Sequence, residues 1–178
     1  LQALLDAGSA EKSEAADAES IELIFALAKR MLENNQFSGA KRWEEELARR
    51  EGPEGTLWRY CRGRRLAAAA KGTNDAEFAE AERALAELKK IRPSWSRGFL
   101  LEAAIQERRG RLEDAADAYR NAIQSGCREL AVDEKLLALL YRLGRYAEAE
   151  RRLAEMQDRA AGCTALTAQE ISLAAGQG

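Results

Sequence analysis

Residues 110–122, GRLEDAADAYRNA, are repeated in outline at residues 144–156, GRYAEAERRLAEM, and this pair of segments decides the fold class. The residues in matching positions are Gly110 and Gly144, Ala115 and Ala149, Tyr119 and Leu153, and Ala122 and Met156. Each pair is separated by 34 positions. A fixed period of this length is typical of helical hairpins stacked into a solenoid, because no hairpin can bury its apolar face alone. The interval therefore predicts an all-α chain.

The same template extends toward the N-terminus and divides the chain into about four hairpins. We place these repeats at approximately residues 20–53, 56–93, 96–127 and 130–160, within one solenoid domain that spans residues 1–178. The turn inside a hairpin needs a residue that tolerates a left-handed backbone, which Gly110 and Gly144 supply. Asn34 and Asn35 take this place in the first repeat. These turns predict where each hairpin reverses.

One irregularity and the two chain ends depart from the period. Ala40 and Ala81 are 41 positions apart, so the residues in excess of the period must be accommodated, and we assign them to the breaker-rich segments 52–55 and 72–75. Residues 1–19 are expected to be irregular or partly helical. Residues 163–178 are expected to form a C-terminal helix that caps the solenoid.

The composition favours packed amphipathic helices and gives little support for catalysis. The chain contains no histidine, which removes the commonest general base and the most frequent zinc ligand. It has no glycine-rich phosphate loop, and we expect no cofactor. The formal net charge of −2 argues against a general nucleic-acid or membrane-surface binder. We therefore expect a non-enzymatic protein.

The cysteines and the start of the sequence bear on the cellular compartment of the chain. Cys61, Cys127 and Cys163 are isolated and odd in number, so we expect small buried thiols rather than disulfides. No apolar run is long enough to span a bilayer, and no signal-peptide pattern begins the sequence. The first residue is Leu, which suggests a fragment of a larger protein; a cytoplasmic location is favoured for this fragment.

Charged and aromatic side chains leave alternatives open. Runs of carboxylates such as residues 44–46 are expected to be surface charge rather than catalytic pairs. The chain has four arginines within seven residues: Arg59, Arg62, Arg64 and Arg65. They predict either salt bridges between repeats or a patch that engages an acidic peptide or a phosphate. Trp43, Trp58 and Trp95 predict either packing or a ligand platform, and we expect Trp95 to wedge between repeats.

The motif Gly110, Ala115, Tyr119, Ala122 resembles the second half of a tetratricopeptide repeat (TPR) of bacterial type. The resemblance covers about residues 20–160. Some positions depart from the family pattern: Glu102 and Gln106 replace the usual Leu and Tyr, Asp133 stands where a large residue is usual, and Glu44 replaces an aromatic, with Trp43 beside it.

The resemblance implies a function for the first helix of each hairpin. In TPR proteins these helices line a concave groove that receives a peptide or protein segment. The positions that match this groove are Phe25, Lys29, Tyr60, Arg64, Arg97, Leu100, Arg108, Tyr141 and Arg142. The resemblance thus implies a protein- or peptide-binding scaffold with an acidic or amphipathic partner. The alternatives are a spacer or self-association segment of a longer repeat array, or a regulatory domain of a larger enzyme.

Overall fold

The computed structural model describes the backbone of residues 2–159 and the side chains of residues 17–159. Within this part of the chain every regular element is a helix, so the predicted all-α class is confirmed. The helices are α1 (Gln2–Glu33), α2 (Phe37–Glu51), α3 (Leu57–Ala69), α4 (Ala76–Ile91), α5 (Ser96–Arg108), α6 (Leu112–Gln124), α7 (Leu130–Arg142) and α8 (146–159). None of these eight helices is long and apolar enough to cross a membrane.

The helices pack as in a helical solenoid. α1 packs on α2, α3 on α4, and α5 on α6, so neighbours in sequence form hairpins. The first helices of the hairpins also pack side by side, α1 against α3 and α3 against α5. The alanine that the period places on each second helix is buried in all four cases, at Ala40, Ala81, Ala115 and Ala149. Small side chains at these positions allow the close helix approach that the period predicts.

The chain divides into two compact units, Leu1–Cys127 and Arg128–Gly178. The first unit contains the three hairpins from α1 to α6, and the described part of the second contains α7 and α8. That both belong to one solenoid domain stays a prediction.

α1 is longer than the sequence predicts. It begins at Gln2 and runs without a break to Glu33, whereas we expected residues 1–19 to be irregular or only partly helical. Alanine and glutamate are strong helix formers and dominate residues 10–19, and their summed propensity outweighs the cost of Gly8. The capping helix predicted at residues 163–178 lies outside the described residues.

Four helices end in the same hydrogen-bonded turn. At Gly110, whose φ is 73°, the Gly110 N–H donates to the Glu107 carbonyl and the Arg111 N–H donates to the Gln106 carbonyl, both at 3.0 Å. This pair of bonds is the Schellman arrangement, which requires a left-handed residue. The same pair recurs at three further positions with positive φ, at Asn35, Gly126 and Gly144. The predicted turn residues Asn35, Gly110 and Gly144 are thereby confirmed.

The irregular segments are held by carboxylates. The Glu51 side chain accepts hydrogen bonds from the N–H groups of Thr56, Leu57 and Trp58 at 3.1, 3.1 and 2.9 Å, so the end of α2 caps the start of α3. Asp75 Oδ2 accepts from the N–H groups of Lys71 and Gly72 at 2.7 and 3.1 Å. The turn of residues 70–75 is longer than that of residues 109–111, which places part of the extra length at residues 72–75, as predicted.

A glycine sets the distance between α3 and α5. A Cβ at Gly63 would lie 2.5 Å from Leu101 Cδ2, so the two helices approach as closely as backbone and side chain allow. Further along, Arg108 Nη2 donates to the Ala70 carbonyl. Gly63 and Leu101 are 38 positions apart, as are Ala70 and Arg108. Equal offsets at two points mean that α3 and α5 run in the same direction, side by side.

The second unit contains a buried ion cluster. Asp133 on α7 is 2% exposed, at a position where the TPR resemblance implies a large residue. Its Oδ1 accepts from Arg152 Nε at 2.8 Å and its Oδ2 from Arg159 Nη2 at 2.7 Å, and both arginines lie on α8. The carboxylate therefore joins α7 to α8 through charge-assisted hydrogen bonds.

Candidate functional site

Aromatic and arginine side chains meet on the face where α1, α3 and α5 pack side by side. We call Phe25, Tyr60, Arg64, Trp95 and Arg97 the arginine–aromatic cluster. The Phe25 and Tyr60 ring centroids are 5.9 Å apart. Those of Tyr60 and Trp95 are 6.1 Å apart, with the ring planes at 70°. These separations are typical of tilted and edge-to-face aromatic pairs, so one row of rings links the three hairpins.

Helical spacing explains why the cluster forms. Lys29 follows Phe25 by four positions on α1, and Arg64 follows Tyr60 by four positions on α3. A basic residue therefore lies one helical turn after each of these two aromatic residues. Trp95 immediately precedes α5, and Arg97 lies in its first turn. Because the first helices pack together, these residues share one face.

Arg97 lies across two rings of the cluster. Its guanidinium carbon is 4.3 Å from the Phe25 centroid and 5.6 Å from the Trp95 centroid. Such cation–π contacts are worth about 0.5–2 kcal/mol. Among the described residues, no carboxylate lies within ion-pair distance of this half-buried side chain. The rings hold the guanidinium in place, and its N–H groups donate no hydrogen bond to the described residues.

Arg64 has a different environment. Its Nη1 donates to the Tyr60 hydroxyl at 3.0 Å. Tyr60 raises the pKa of the Arg64 guanidinium, with Tyr119 and Glu107 adding to the effect against the opposing effect of burial. Glu107 Oε2 in turn accepts a hydrogen bond from the Tyr119 hydroxyl at 3.1 Å. Burial and this carboxylate raise the pKa of Tyr119, which remains a neutral donor.

The other three arginines of the α3 run form salt bridges with neighbouring second helices. Arg59 pairs with Glu87 at 2.9 Å, Arg62 with Glu80 at 3.1 Å, and Arg65 with Glu44 at 2.8 Å. The predicted salt bridging between repeats is therefore confirmed for Arg65, whose partner lies on α2, whereas Arg59 and Arg62 pair with α4 inside their own hairpin. The alternative, an anion-engaging patch, stays a prediction and applies to Arg64.

Glu44 corrects one expectation. Residues 44–46 were expected to be surface charge, yet Glu44 is 8% exposed. Arg65 Nε and Nη2 donate to its two carboxylate oxygens at 2.8 and 3.2 Å. This bidentate pair lies at the position where the TPR resemblance implies an aromatic residue. Trp43 is half-buried with Arg42 over its ring.

The other two tryptophans also have packing contacts. Trp58 donates its Nε1–H to the Gly52 carbonyl at 3.1 Å and carries Arg59 on its ring. Trp95 contacts Tyr60 of the preceding hairpin, in agreement with the predicted wedge. Whether Trp95 also serves as a ligand platform stays a prediction.

The remaining predicted residues of the first unit are not members of the arginine–aromatic cluster. Lys29 is half-buried on α1, and Leu100 is buried on α5. Arg108 is exposed, and its bond to the Ala70 carbonyl ties α5 to the end of α3. Arg108 therefore has a structural contact that the sequence did not predict.

Tyr141 and Arg142 lie in the second unit, outside the cluster as defined. Both are exposed at the end of α7, and the Tyr141 ring centroid is 5.8 Å from that of Tyr146. Two residues beside the cluster, Glu107 and Tyr119, were not predicted as site residues. Glu107 follows the predicted groove residue Leu100 by seven positions on α5, which is two helical turns, and this spacing could have identified it.

Cys61 and Cys127 are buried free thiols, as predicted, and Cys163 lies outside the described residues. Burial raises the pKa of the Cys61 thiol to about 12, which keeps it protonated and unreactive near neutral pH. Residues 17–159 contain no grouping of Cys, Asp and Glu side chains suited to a metal ion.

Comparison with known proteins adds no identity: neither a protein-family model nor a curated protein matches the chain.

Proposed function

We propose that the chain is a non-enzymatic binding module of TPR type whose α1–α3–α5 face holds an acidic segment of another protein. The repeat period and the hairpin packing support the TPR assignment. The arginine–aromatic cluster supports the binding role, because it joins one residue row across three hairpins. A row of this kind suits an extended or helical segment, which crosses several repeats.

The observation that carries this proposal is the environment of Arg97. Three arginines of α3 have carboxylate partners on neighbouring helices, but Arg97 has rings beneath it and no carboxylate in range among the described residues. A half-buried cation without a counter-ion can form charge-assisted hydrogen bonds with a carboxylate from a partner. Lys29 and Arg64 add positive charge to the same face.

Selection from a random-peptide display library tests the proposal. The wild-type chain should enrich peptides that contain several Asp or Glu residues. The double variant Arg64→Glu/Arg97→Glu should lose this enrichment while its helicity by circular dichroism stays unchanged. Arg83→Glu is the matched control, because Arg83 is exposed on α4 and lies away from the cluster. Enrichment without acidic residues, no enrichment, or equal enrichment by the double variant would contradict the proposal.

A second candidate, self-association, is favoured by the surface of the second unit. Four large apolar side chains there are exposed by 42–61%: Leu130, Tyr141, Tyr146 and Leu153. Exposed apolar side chains of this size can form contacts between copies. Sedimentation equilibrium over a range of concentrations tests this candidate. A dimer that is lost in Tyr141→Ser/Tyr146→Ser would support it, and a monomer at all concentrations would exclude it.

A further inference from the structure

One face of α7 is exposed along the whole helix. Its exposed residues recur every four positions, at Leu130, Glu134, Ala138 and Arg142. The opposite face is buried, as at Leu136 and Leu139. Residues four positions apart form a continuous ridge on a helix surface, and such a ridge can pack against the ridges of a second helix.

The two charged residues of this ridge are unpaired. Among residues 17–159, neither the Glu134 carboxylate nor the Arg142 guanidinium forms an ion pair or a side-chain hydrogen bond. They cannot pair with each other, because eight positions along a helix separate them by about 12 Å. Glu134 also has no basic residue three or four positions away on α7, the spacing at which helical ion pairs form.

Two copies of α7 placed antiparallel bring these charges together. When the copies cross at Ala138, Glu134 of one copy lies level with Arg142 of the other, because the two residues are four positions from Ala138 on opposite sides. A two-fold axis through the crossing point forms the same pair twice. The small Ala138 side chain lets the helix axes approach to about 8–10 Å.

The apolar side chains of α7 match in the same arrangement. Leu130 and Tyr141 are eleven positions apart, about three turns, so they lie on one border of the exposed face. In the antiparallel pair, Tyr141 of each copy lies on the same side as Leu130 of the other, about 7.5 Å from it along the axis. Contact between them would cover side chains that are 52% and 61% exposed in a single chain.

We propose that α7 is a dimerisation helix, which pairs antiparallel with α7 of a second copy, crosses it at Ala138 and forms a Glu134–Arg142 ion pair on either side of the crossing. The proposal rests on the self-association candidate and adds to it the helix and the register. The charges select the orientation, since a parallel pair in register would place Glu134 against Glu134 and Arg142 against Arg142.

Charge reversal tests the ion pairs, with the dimer dissociation constant measured by sedimentation equilibrium at low ionic strength. Glu134→Arg and Arg142→Glu should each raise this constant about tenfold, because two attractions become two repulsions. Glu134→Arg/Arg142→Glu exchanges the charges and should return the constant to within about threefold of the wild-type value. The matched controls Glu113→Arg and Arg83→Glu, at exposed positions of α6 and α4, should change it less than about twofold.

A cysteine at the crossing point tests the geometry. Helix axes about 8–10 Å apart put the two Cα atoms of position 138 roughly 5 Å apart, which is within the range of a disulfide. In a Cys163→Ser background, Ala138→Cys should form a covalent dimer when treated with oxidised glutathione. Ala86→Cys, at an exposed position of α4, is the matched control and should not.

Two results would overturn the inference and leave the self-association candidate intact: a charge-exchanged variant that dimerises no better than the single variants, or no more covalent dimer from Ala138→Cys than from Ala86→Cys. A wild type that stays monomeric at every concentration would exclude both the inference and that candidate. Melting curves of every variant show whether a loss of dimer reflects a loss of folding instead.

Discussion

A side chain at position 63 has no room, because any Cβ there would lie 2.5 Å from Leu101 Cδ2. Leu101 is fully buried, so moving it aside would disturb the side chains packed around it. The glycine therefore determines how closely α3 approaches α5, and this approach aligns Tyr60 and Arg64 with the residues of α5. Gly98, also in a helix of this unit, has nothing within 4 Å of its Cβ position.

Alanine at these two glycines should have opposite effects. Gly63→Ala should lower the free energy of unfolding by about 1–3 kcal/mol because the core is overpacked. Gly98→Ala should leave it unchanged or raise it by up to about 1 kcal/mol because alanine favours the helix. Urea denaturation followed by circular dichroism measures both. A shift of the same sign and size in the two variants would show that the close approach at Gly63 is not what limits packing.

Burial within the cluster is the property that the sequence predicted least well. The template correctly brought Phe25, Tyr60, Arg64 and Arg97 to one face. Phe25 and Tyr60 are nevertheless 4% exposed each, so the rings are not an open platform. Periodicity identifies the face of a helix, but it cannot show that the long side chain of Arg97, from another hairpin, lies over an aromatic ring. Tertiary packing decides this feature.

The ends of the helices follow from single residues with a physical requirement. Glycine or asparagine is needed where the backbone becomes left-handed, and Asn35, Gly110 and Gly144 were predicted for this reason. Gly72 differs, because it is not one of the described glycines with a positive φ. A Cβ at this position would have no atom within 4 Å. A turn glycine identified from sequence alone thus does not always have a left-handed backbone.

This difference predicts two stability changes. Gly110→Ala should cost about 1–2 kcal/mol of unfolding free energy, because the alanine Cβ is strained at a φ of 73°. Gly72→Ala, the matched control, should cost much less. Asn35→Gly should raise stability, since glycine adopts the same conformation without strain. Thermal melts of the three variants provide the comparison, and equal melting temperatures for Gly110→Ala and Gly72→Ala would contradict the prediction.

The contact of α2 with α3 depends on a buried ion pair. Glu44 and Arg65 side chains are only 10% and 15% exposed. We expected surface charge at residues 44–46 because runs of carboxylates on helices are usually solvated, and sequence spacing within α2 does not indicate a partner 21 positions away. The physical reason for the burial is the bidentate geometry, which satisfies both charged groups inside the interface.

Removing one partner of this pair should destabilise the chain more than removing both. Glu44→Gln should cost about 2–3 kcal/mol, somewhat less than for a completely buried pair because both side chains retain some exposure. Glu44→Leu/Arg65→Met should cost less than Glu44→Gln, since an apolar pair leaves no uncompensated charge. Denaturant titration measures the free energy of unfolding of the two variants and of the wild type. A double variant less stable than Glu44→Gln would mean that the ion pair itself is net stabilising.

In the second compact unit, Asp133 forms buried ion pairs, as Glu44 does in the first unit. The carboxylate is almost fully buried between α7 and α8 and accepts from two arginines. The resemblance marked Asp133 only as a departure from the usual large residue, and the sequence could not predict that the arginines of α8 would reach its carboxylate. The helices of this unit are therefore joined by charge-assisted hydrogen bonds.

Neutralising Asp133 should weaken this unit in particular. Asp133→Asn leaves two arginines without their buried counter-charge, at a cost of about 3 kcal/mol. Hydrogen exchange measured by mass spectrometry should accelerate in α7 and α8 and stay unchanged in α3. Asp158→Asn, an exposed change on α8, is the control. Unchanged exchange in α7 would show that the ion cluster adds nothing to local stability.

The central claim, that Arg97 on its aromatic support receives an acidic partner, can be tested at the atom concerned. The selected acidic peptide is titrated into the ¹⁵N-labelled chain while the Arg97 Nε–Hε resonance is followed by NMR. The account predicts that this resonance shifts progressively and saturates with the same dissociation constant that calorimetry gives for this peptide. An Arg97 resonance that does not move while the peptide binds, with shifts confined to residues outside α1, α3 and α5, would contradict it.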